Sequence, residues 1–209
     1  MTLFDRMFNG MRKPWVILVF LVLVVLSFIY VDRPLATYFH QMDLRTNRHW
    51  LYWVTALGQW KIDVLILVFV GLYFRFVAKN LRYERNTWFL LSCILAVNLI
   101  NCVLKIALGR ARPELLFSSN EYGLYWLQLK DAYWSMPSGH AATSTALAAG
   151  LGVLIPEYVI GFLFLAFFVC ATRVLLYYHY LSDVLTGFYM SVIVVGIIAL
   201  YFKKNRSLG

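Results

Sequence analysis

The sequence predicts an all-α integral membrane protein: six transmembrane helices in one bundle, with an interfacial amphipathic segment between the third and the fourth. Two observations carry that reading. The chain is 62% hydrophobic and only 14% charged, far from the composition of a water-soluble domain. Its apolar residues gather in runs near the roughly 17–25 residues that cross a bilayer as helix. A third observation concerns the net charge of +9. In a soluble chain it would point to nucleic acid. Here the basic residues flank the apolar runs, where they fix orientation and meet anionic headgroups, so membrane lipids rather than nucleic acid are the expected partners. No internal repeat or low-complexity linker divides the chain, so residues 1–209 are read as one domain.

The elements follow in order. Residues 1–14 are short and basic, with Arg6, Arg12 and Lys13. The first span runs from Trp15 to Val31. It ends without a small-x-small cleavage site, so it is read as a retained helix and not a removed leader. Asp32 to Trp60 is polar and aromatic, an interfacial loop with a short helix near Leu51–Leu57; His40 and His49 are read as surface histidines. The second span is Ile62 to Ala78, the third Thr87 to Lys105. Asn98, Asn101 and Lys105 lie on one face of that third helix. The two asparagines suit interhelical hydrogen bonding as well as a site, and Lys105 suits snorkelling to the interface as well as a site. Gly109 to Met136 mixes charges with aromatics, as an amphipathic segment on the bilayer surface does. The fourth span, His140 to Ile155, carries Ala142, Ala146 and Gly150 as a small-xxx-small seam for close packing. The fifth and sixth are Tyr158 to Thr172 and Val184 to Phe202. Cys93, Cys102 and Cys170 sit within apolar runs as small hydrophobes, with neither disulfide nor zinc spacing.

Six spans place both termini on one side. That side gathers Arg6, Arg12, Lys13, Arg75, Lys79, Arg82, Arg85, Lys203, Lys204 and Arg206, leaving nine of the 19 basic residues opposite. Lys105, Arg112 and Arg173 among those nine belong to a candidate site. Discounting them places the termini in the cytoplasm and the site at the outer face of a bacterial-type inner membrane.

Parity then does more than any single motif. Lys105 and Arg112 leave the third span, Ser138 and His140 enter the fourth, and Arg173, His179 and Asp183 lie two crossings later, so all share one membrane face. Three cations beside the free N–H groups of a helix start, at Ser138 and Gly139, make an anion site suited to phosphate. His179 and Asp183 are spaced i, i+4. The carboxylate can therefore accept from one ring nitrogen and leave the other as nucleophile, with His140 as a second histidine for acid–base work. Ionisable residues at membrane depth are functional by default. No carboxylate group is dense enough to hold magnesium, so neither metal nor cofactor is expected.

Written together, these residues read Lys105-x6-Arg112-Pro113, Pro137-Ser138-Gly139-His140 and Thr172-Arg173-x5-His179-x3-Asp183. They resemble the three-part signature of the type 2 phosphatidic acid phosphatase superfamily, with Thr172 where that family usually has serine. The resemblance implies a metal-independent lipid phosphatase working through a phosphohistidine. It implies Lys105, Arg112, Arg173, Ser138, Gly139 and Thr172 on the phosphate, His179 as nucleophile, Asp183 orienting it, and His140 as acid and then base. The substrate would be a lipid phosphate: undecaprenyl diphosphate, phosphatidylglycerol phosphate, phosphatidate or a lipid A phosphate. A phosphotransferase with the same site is the alternative, and a non-catalytic lipid-binding scaffold is the alternative of another class. Oligomeric state is left open.

Overall fold

A chain whose apolar residues point outward needs every backbone polar group satisfied within its own helices, and the architecture follows from that. The computed structural model describes residues 1–48 and 50–204; His49 and Arg206 lie outside the described residues. Every element among the described residues is helical, apart from one isolated bridge between Arg110 and Leu124. Leu18, Leu21, Leu23, Leu99, Phe164 and Leu165 are among many large apolar side chains left exposed, facing the place of lipid. The chain is an integral membrane protein.

Helix α1 (Leu3–Met11) starts at a reciprocal cap: Thr2 Oγ1 accepts the Asp5 N–H, and the Asp5 carboxylate accepts the Thr2 N–H. Its Phe4 and Phe8 are buried in the main core with Val192 and Val195, and Lys203 Nζ lies 2.7 Å from Asp5. The first basic residues thus belong to a packed helix, and both ends of the described chain meet at one end of the bundle.

Helix α2 (Pro14–Leu26) passes through a π turn at Ser27–Val31 into α3 (Asp32–Met42), giving 29 continuous residues. Pro34 lacks an N–H for the carbonyl one turn before it and its ring crowds that carbonyl, so the chain widens there. Short helices α4 (Leu44–Asn47) and α5 (Trp50–Ala56) follow, then α6 (Trp60–Leu72) with a second π turn at Tyr73–Val77. Helix α7 (Leu81–Leu108) begins where Asn80 caps the Arg82 and Tyr83 N–H groups. It ends at Gly109, where φ of +54° and the nearness of the Trp126 backbone exclude a side chain. Helix α8 (Pro113–Ser119), a 3-10 turn at Asp131–Tyr133, α9 (Gly139–Leu154), α10 (Val159–Leu175) and α11 (Leu181–Lys204) complete the chain.

Among the described residues, four helical stretches are long and apolar enough to cross a membrane: Pro14–Met42, Leu81–Leu108, Pro156–Leu175 and Leu181–Lys204. The other two expected spans fall short of that length and apolarity, so the count of six is not confirmed. The stretch expected at 62–78 carries Lys61, Asp63 and Arg75 at its ends. Helix α9 has only 16 residues, about 24 Å of helix against a hydrocarbon core of about 30 Å. It is short because it is central. Ala142, Ala146 and Ala149 are buried among Phe89, Ile94, Val97, Val192 and Val195, so its surroundings are protein rather than lipid. Asn98 Nδ2 reaches Thr143 Oγ1 at 3.1 Å, an interhelical bond worth about 0.6 kcal/mol.

The expected amphipathic segment is also different. After α8 it is mainly irregular backbone folded over the end of α7. The N–H groups of Tyr125, Trp126, Leu127 and Gln128 donate in turn to the carbonyls of Gly109, Leu108, Ala107 and Ile106. A helix end leaves its last carbonyls without partners, and this strap supplies them.

Candidate active site

The C-terminal ends of α7 and α10 and the N-terminal ends of α9 and α11 converge at the bundle end opposite α1. Between them opens a cavity of about 710 Å³, bordered by Lys105, Arg112, Gly139, His140, Arg173 and His179. Six of the nine expected site residues therefore share one space. Asn98, Asn101, Leu95, Leu99 and Cys102 continue the lining along α7, and Gln59, Trp60 and Lys61 come from the start of α6.

The cations at this cavity are held without being neutralised, with one exception. Lys105 Nζ donates to the Trp134 carbonyl at 2.8 Å. Arg173 Nη1 donates to Thr55 Oγ1 at 2.8 Å, its guanidinium lies over the Tyr178 ring at 4.5 Å, and its buried Nε has no acceptor. Arg112 is the exception: it grips Asp131, Nη2 to Oδ1 at 2.8 Å and Nε to the backbone carbonyl at 2.9 Å. That carboxylate side chain is 75% exposed, so the pair is a weak one. A buried donor without an acceptor is costly.

His179 sits on the short connection between α10 and α11. Its Nδ1 is 2.8 Å from the Ser135 carbonyl oxygen. A carbonyl only accepts, so Nδ1 carries the proton and Nε2 keeps its lone pair. Burial holds the imidazole well below its ordinary pKa, which keeps the ring neutral. Asp183 is close, with Oδ2 3.6 Å from Nδ1, but that is too long for a direct hydrogen bond. The Ser135 carbonyl thus takes the hydrogen bond that the spacing assigned to Asp183, whose carboxylate packs beside the ring. Asp183 Oδ2 accepts from Ser135 Oγ at 2.6 Å and from the Tyr180 N–H at 2.9 Å.

Two expected phosphate contacts do not border the cavity. Thr172 spends its hydroxyl on the Val169 carbonyl at 2.7 Å within α10. Ser138 is fully buried, its N–H donating to the Asp183 carbonyl at 3.0 Å and its Oγ without a partner. The start of α9 is pressed onto α11 at this point. A Cβ on Gly187 would come within 2.8 Å of the Ser138 oxygen, so glycine is required. Gly139 and His140 face the space instead.

The main surprise is Arg110, two residues from Arg112 and fully buried. Its Nη1 reaches Asp183 Oδ1 and Ser182 Oγ, and its Nη2 lies 2.7 Å from Asp32 Oδ2. The rings of Tyr180 and Phe28 flank the guanidinium at 4.3 and 4.6 Å. Burial works against its charge, but the Asp183 and Asp32 carboxylates outweigh that and bind its proton more tightly than usual. Removing one partner of such a buried set costs about 3–5 kcal/mol. Sequence spacing named neither Arg110 nor Asp32, nor Ser135. The parity that joined Lys105 to Arg173 also puts Asp32 and Arg110 at this face, and that was the available signal. Among the described residues no group of three or more His, Cys, Asp or Glu side chains gathers as metal ligands would.

A Rhizobium etli protein described as lipid A 1-phosphatase is 33% identical over 99 residues, covering 47% of this chain and 43% of that protein. A Rhizobium johnstonii protein of the same description gives 33% over 99 residues, 47% of this chain and 41% of its own length. The match thus spans under half the length of these curated relatives. The crystal structure of a PAP2-type phosphatidylglycerolphosphate phosphatase from Bacillus subtilis superposes with a TM-score of 0.49 at 18% identity, over 97% of this chain and 92% of that one. Residues 86–207 match the PAP2 superfamily, a stretch that holds every cavity-lining cation except Lys61, and the chain belongs to that superfamily.

Proposed function

We propose that this protein is a lipid phosphate phosphatase that works through a phosphohistidine. One observation carries the reading. His179 has its Nδ1 proton committed to Ser135, which leaves Nε2 as the free nitrogen beside a cavity where Lys105 and Arg173 have no carboxylate partner. That pairs a neutral nucleophile with an unfilled anion site.

The steps follow from the atoms present. Lys105, Arg112, Arg173 and the Gly139 N–H receive the phosphoryl oxygens, where their charge is worth most as negative charge develops. Nε2 of His179 attacks phosphorus, the N–P bond forms, and the bond from phosphorus to the lipid oxygen breaks. His140 gives that oxygen a proton. His140 then takes a proton from water, the water oxygen bonds to phosphorus, and the N–P bond breaks to release inorganic phosphate and free His179. The apolar lining at Leu95, Leu99 and Cys102 supports a substrate whose tail lies along α7. The excess of basic residues at the α1 end supports cytoplasmic termini and an outward-facing site in an inner membrane.

The curated relatives make lipid A 1-phosphate the first substrate to test, beside undecaprenyl diphosphate, phosphatidylglycerol phosphate and phosphatidate. Purified protein in detergent, given each lipid, is expected to release inorganic phosphate from at least one. Thin-layer separation of labelled product distinguishes hydrolysis from transfer to a second lipid. No phosphate release and no transfer across the panel would overturn the reading.

A further inference from the structure

Behind His179 lies a network of charges that the substrate has no need to touch. Asp32 Oδ1 accepts from Ser27 Oγ at 2.9 Å and from the Ser182 N–H at 3.1 Å, and its Oδ2 accepts from Ser182 Oγ and from Arg110 Nη2 at 2.7 Å. Arg110 Nη1 takes Asp183 Oδ1. Asp183 Oδ2 accepts from Ser135 Oγ, and the Ser135 carbonyl accepts from His179 Nδ1. Hydrogen bonds run from the first apolar helix to the Ser135 hydroxyl, and the carbonyl of the same residue holds His179 Nδ1.

We infer that Asp32 and Arg110 are positioning residues of this site, Arg110 by occupying one oxygen of Asp183 so that the other is left to Ser135 and the Tyr180 N–H, and Asp32 by holding Arg110 and the start of α11 in register. The inference rests on the reading of His179 as nucleophile. Three observations favour it over a role in folding alone. All three charged side chains, Asp32, Arg110 and Asp183, are 0% exposed, and apolar residues of the same volume would serve stability as well or better. The guanidinium is used as a planar fork between two carboxylates, a geometry that lysine does not reproduce. Tyr122 closes the cluster, donating from its hydroxyl to the Phe28 carbonyl while lying 3.4 Å from Arg110 Nη2. Asp32 also lies outside residues 86–207, so the first helix contributes to the site as well as anchoring it.

The surroundings set the electrostatic sense. His179 is faced by Asp183 from α11, Lys105 from α7, Arg112 after α7, Arg173 from α10 and His140 from α9. Asp32, Arg110 and Asp183 together leave one negative charge behind the imidazole, against three positive charges in front, one of them paired with Asp131.

The test is a double-mutant cycle on the full chain in detergent micelles, with lipid A 1-phosphate and phosphatidate assayed in parallel. Asp32→Asn is expected to lower kcat by about tenfold or more while KM stays within about twofold, as loss of an orienting partner does. In an Asp183→Asn background the same change is expected to add less than about twofold, because Asp32 acts through Asp183. An unchanged kcat for Asp32→Asn, or an equal loss in both backgrounds, overturns the inference, since equal loss is what a smaller folded fraction gives. Full activity in Asp183→Asn alone, or no turnover of either lipid by the unmodified protein, fails the reading of the site itself. Where Asp32→Asn does not yield folded protein, Ser182→Ala removes a hydroxyl between Asp32 and Arg110 and keeps all three charges. A kcat loss of about threefold or more at constant KM then supports the inference, and an unchanged kcat overturns it.

Discussion

The two sides of His179 hold the same kinds of charge in opposite states. In front, Lys105 and Arg173 meet only neutral acceptors, and Arg112 meets one exposed carboxylate. Behind, Arg110 meets two buried carboxylates and two aromatic rings. Arg110 and Arg112 are two residues apart in one loop with identical chemistry, yet one is buried between two carboxylates and the other borders the cavity. An arginine's task in this fold is decided by the carboxylates that reach it. Cations left short of acceptors make a ligand site, and a cation with too many makes a frame.

The comparison breaks first at the histidine between the two sides. His179→Ala is expected to remove at least about a thousandfold of kcat, the scale of losing a nucleophile, with the thermal unfolding midpoint in detergent nearly unchanged. Retained turnover in that variant would end the assignment. The front is sharpened by Arg173→Gln. Losing one charge-assisted contact to phosphate is worth about 1.5–3 kcal/mol, so kcat/KM should fall by about 10–150-fold in a lipid-phosphate assay. If kcat/KM did not change, Arg173 would belong with the frame. The smallest effect is expected at Asp131→Asn. An exposed ion pair is worth about 0–1 kcal/mol, so freeing Arg112 should lower KM by no more than about fivefold and leave kcat alone. A rise in KM would mean that Asp131 positions Arg112 rather than competing for it.

Much of the front is legible in the sequence alone. Spacing and the parity of crossings bring together Lys105, Arg112, Gly139, His140, Arg173 and His179, because helices fix which ends meet. The same motifs place Ser138 and Thr172 on phosphate, and neither borders the cavity. A hydroxyl's partner depends on local rotation, and Thr172 finds its own helix backbone first. The back is not legible, because Asp32 and Arg110 are 78 residues apart and no motif pairs them. Among the expected spans, α9 falls short in length for a related reason. Hydropathy measures fitness for lipid, and a helix enclosed by α7, α10 and α11 is under no such demand.

The strap over α7 has a consequence for how such a protein can vary. Connections between helices ordinarily tolerate insertion and deletion. Here residues 125–128 are tied one by one to the carbonyls of 106–109, so adding or losing one residue would shift the whole register and leave those carbonyls without donors at the turn next to Lys105. The length of this connection is held as tightly as that of a helix. Any change in headgroup preference arising there has to come from exchanging the side chains of Tyr125, Trp126, Leu127 and Gln128 in place.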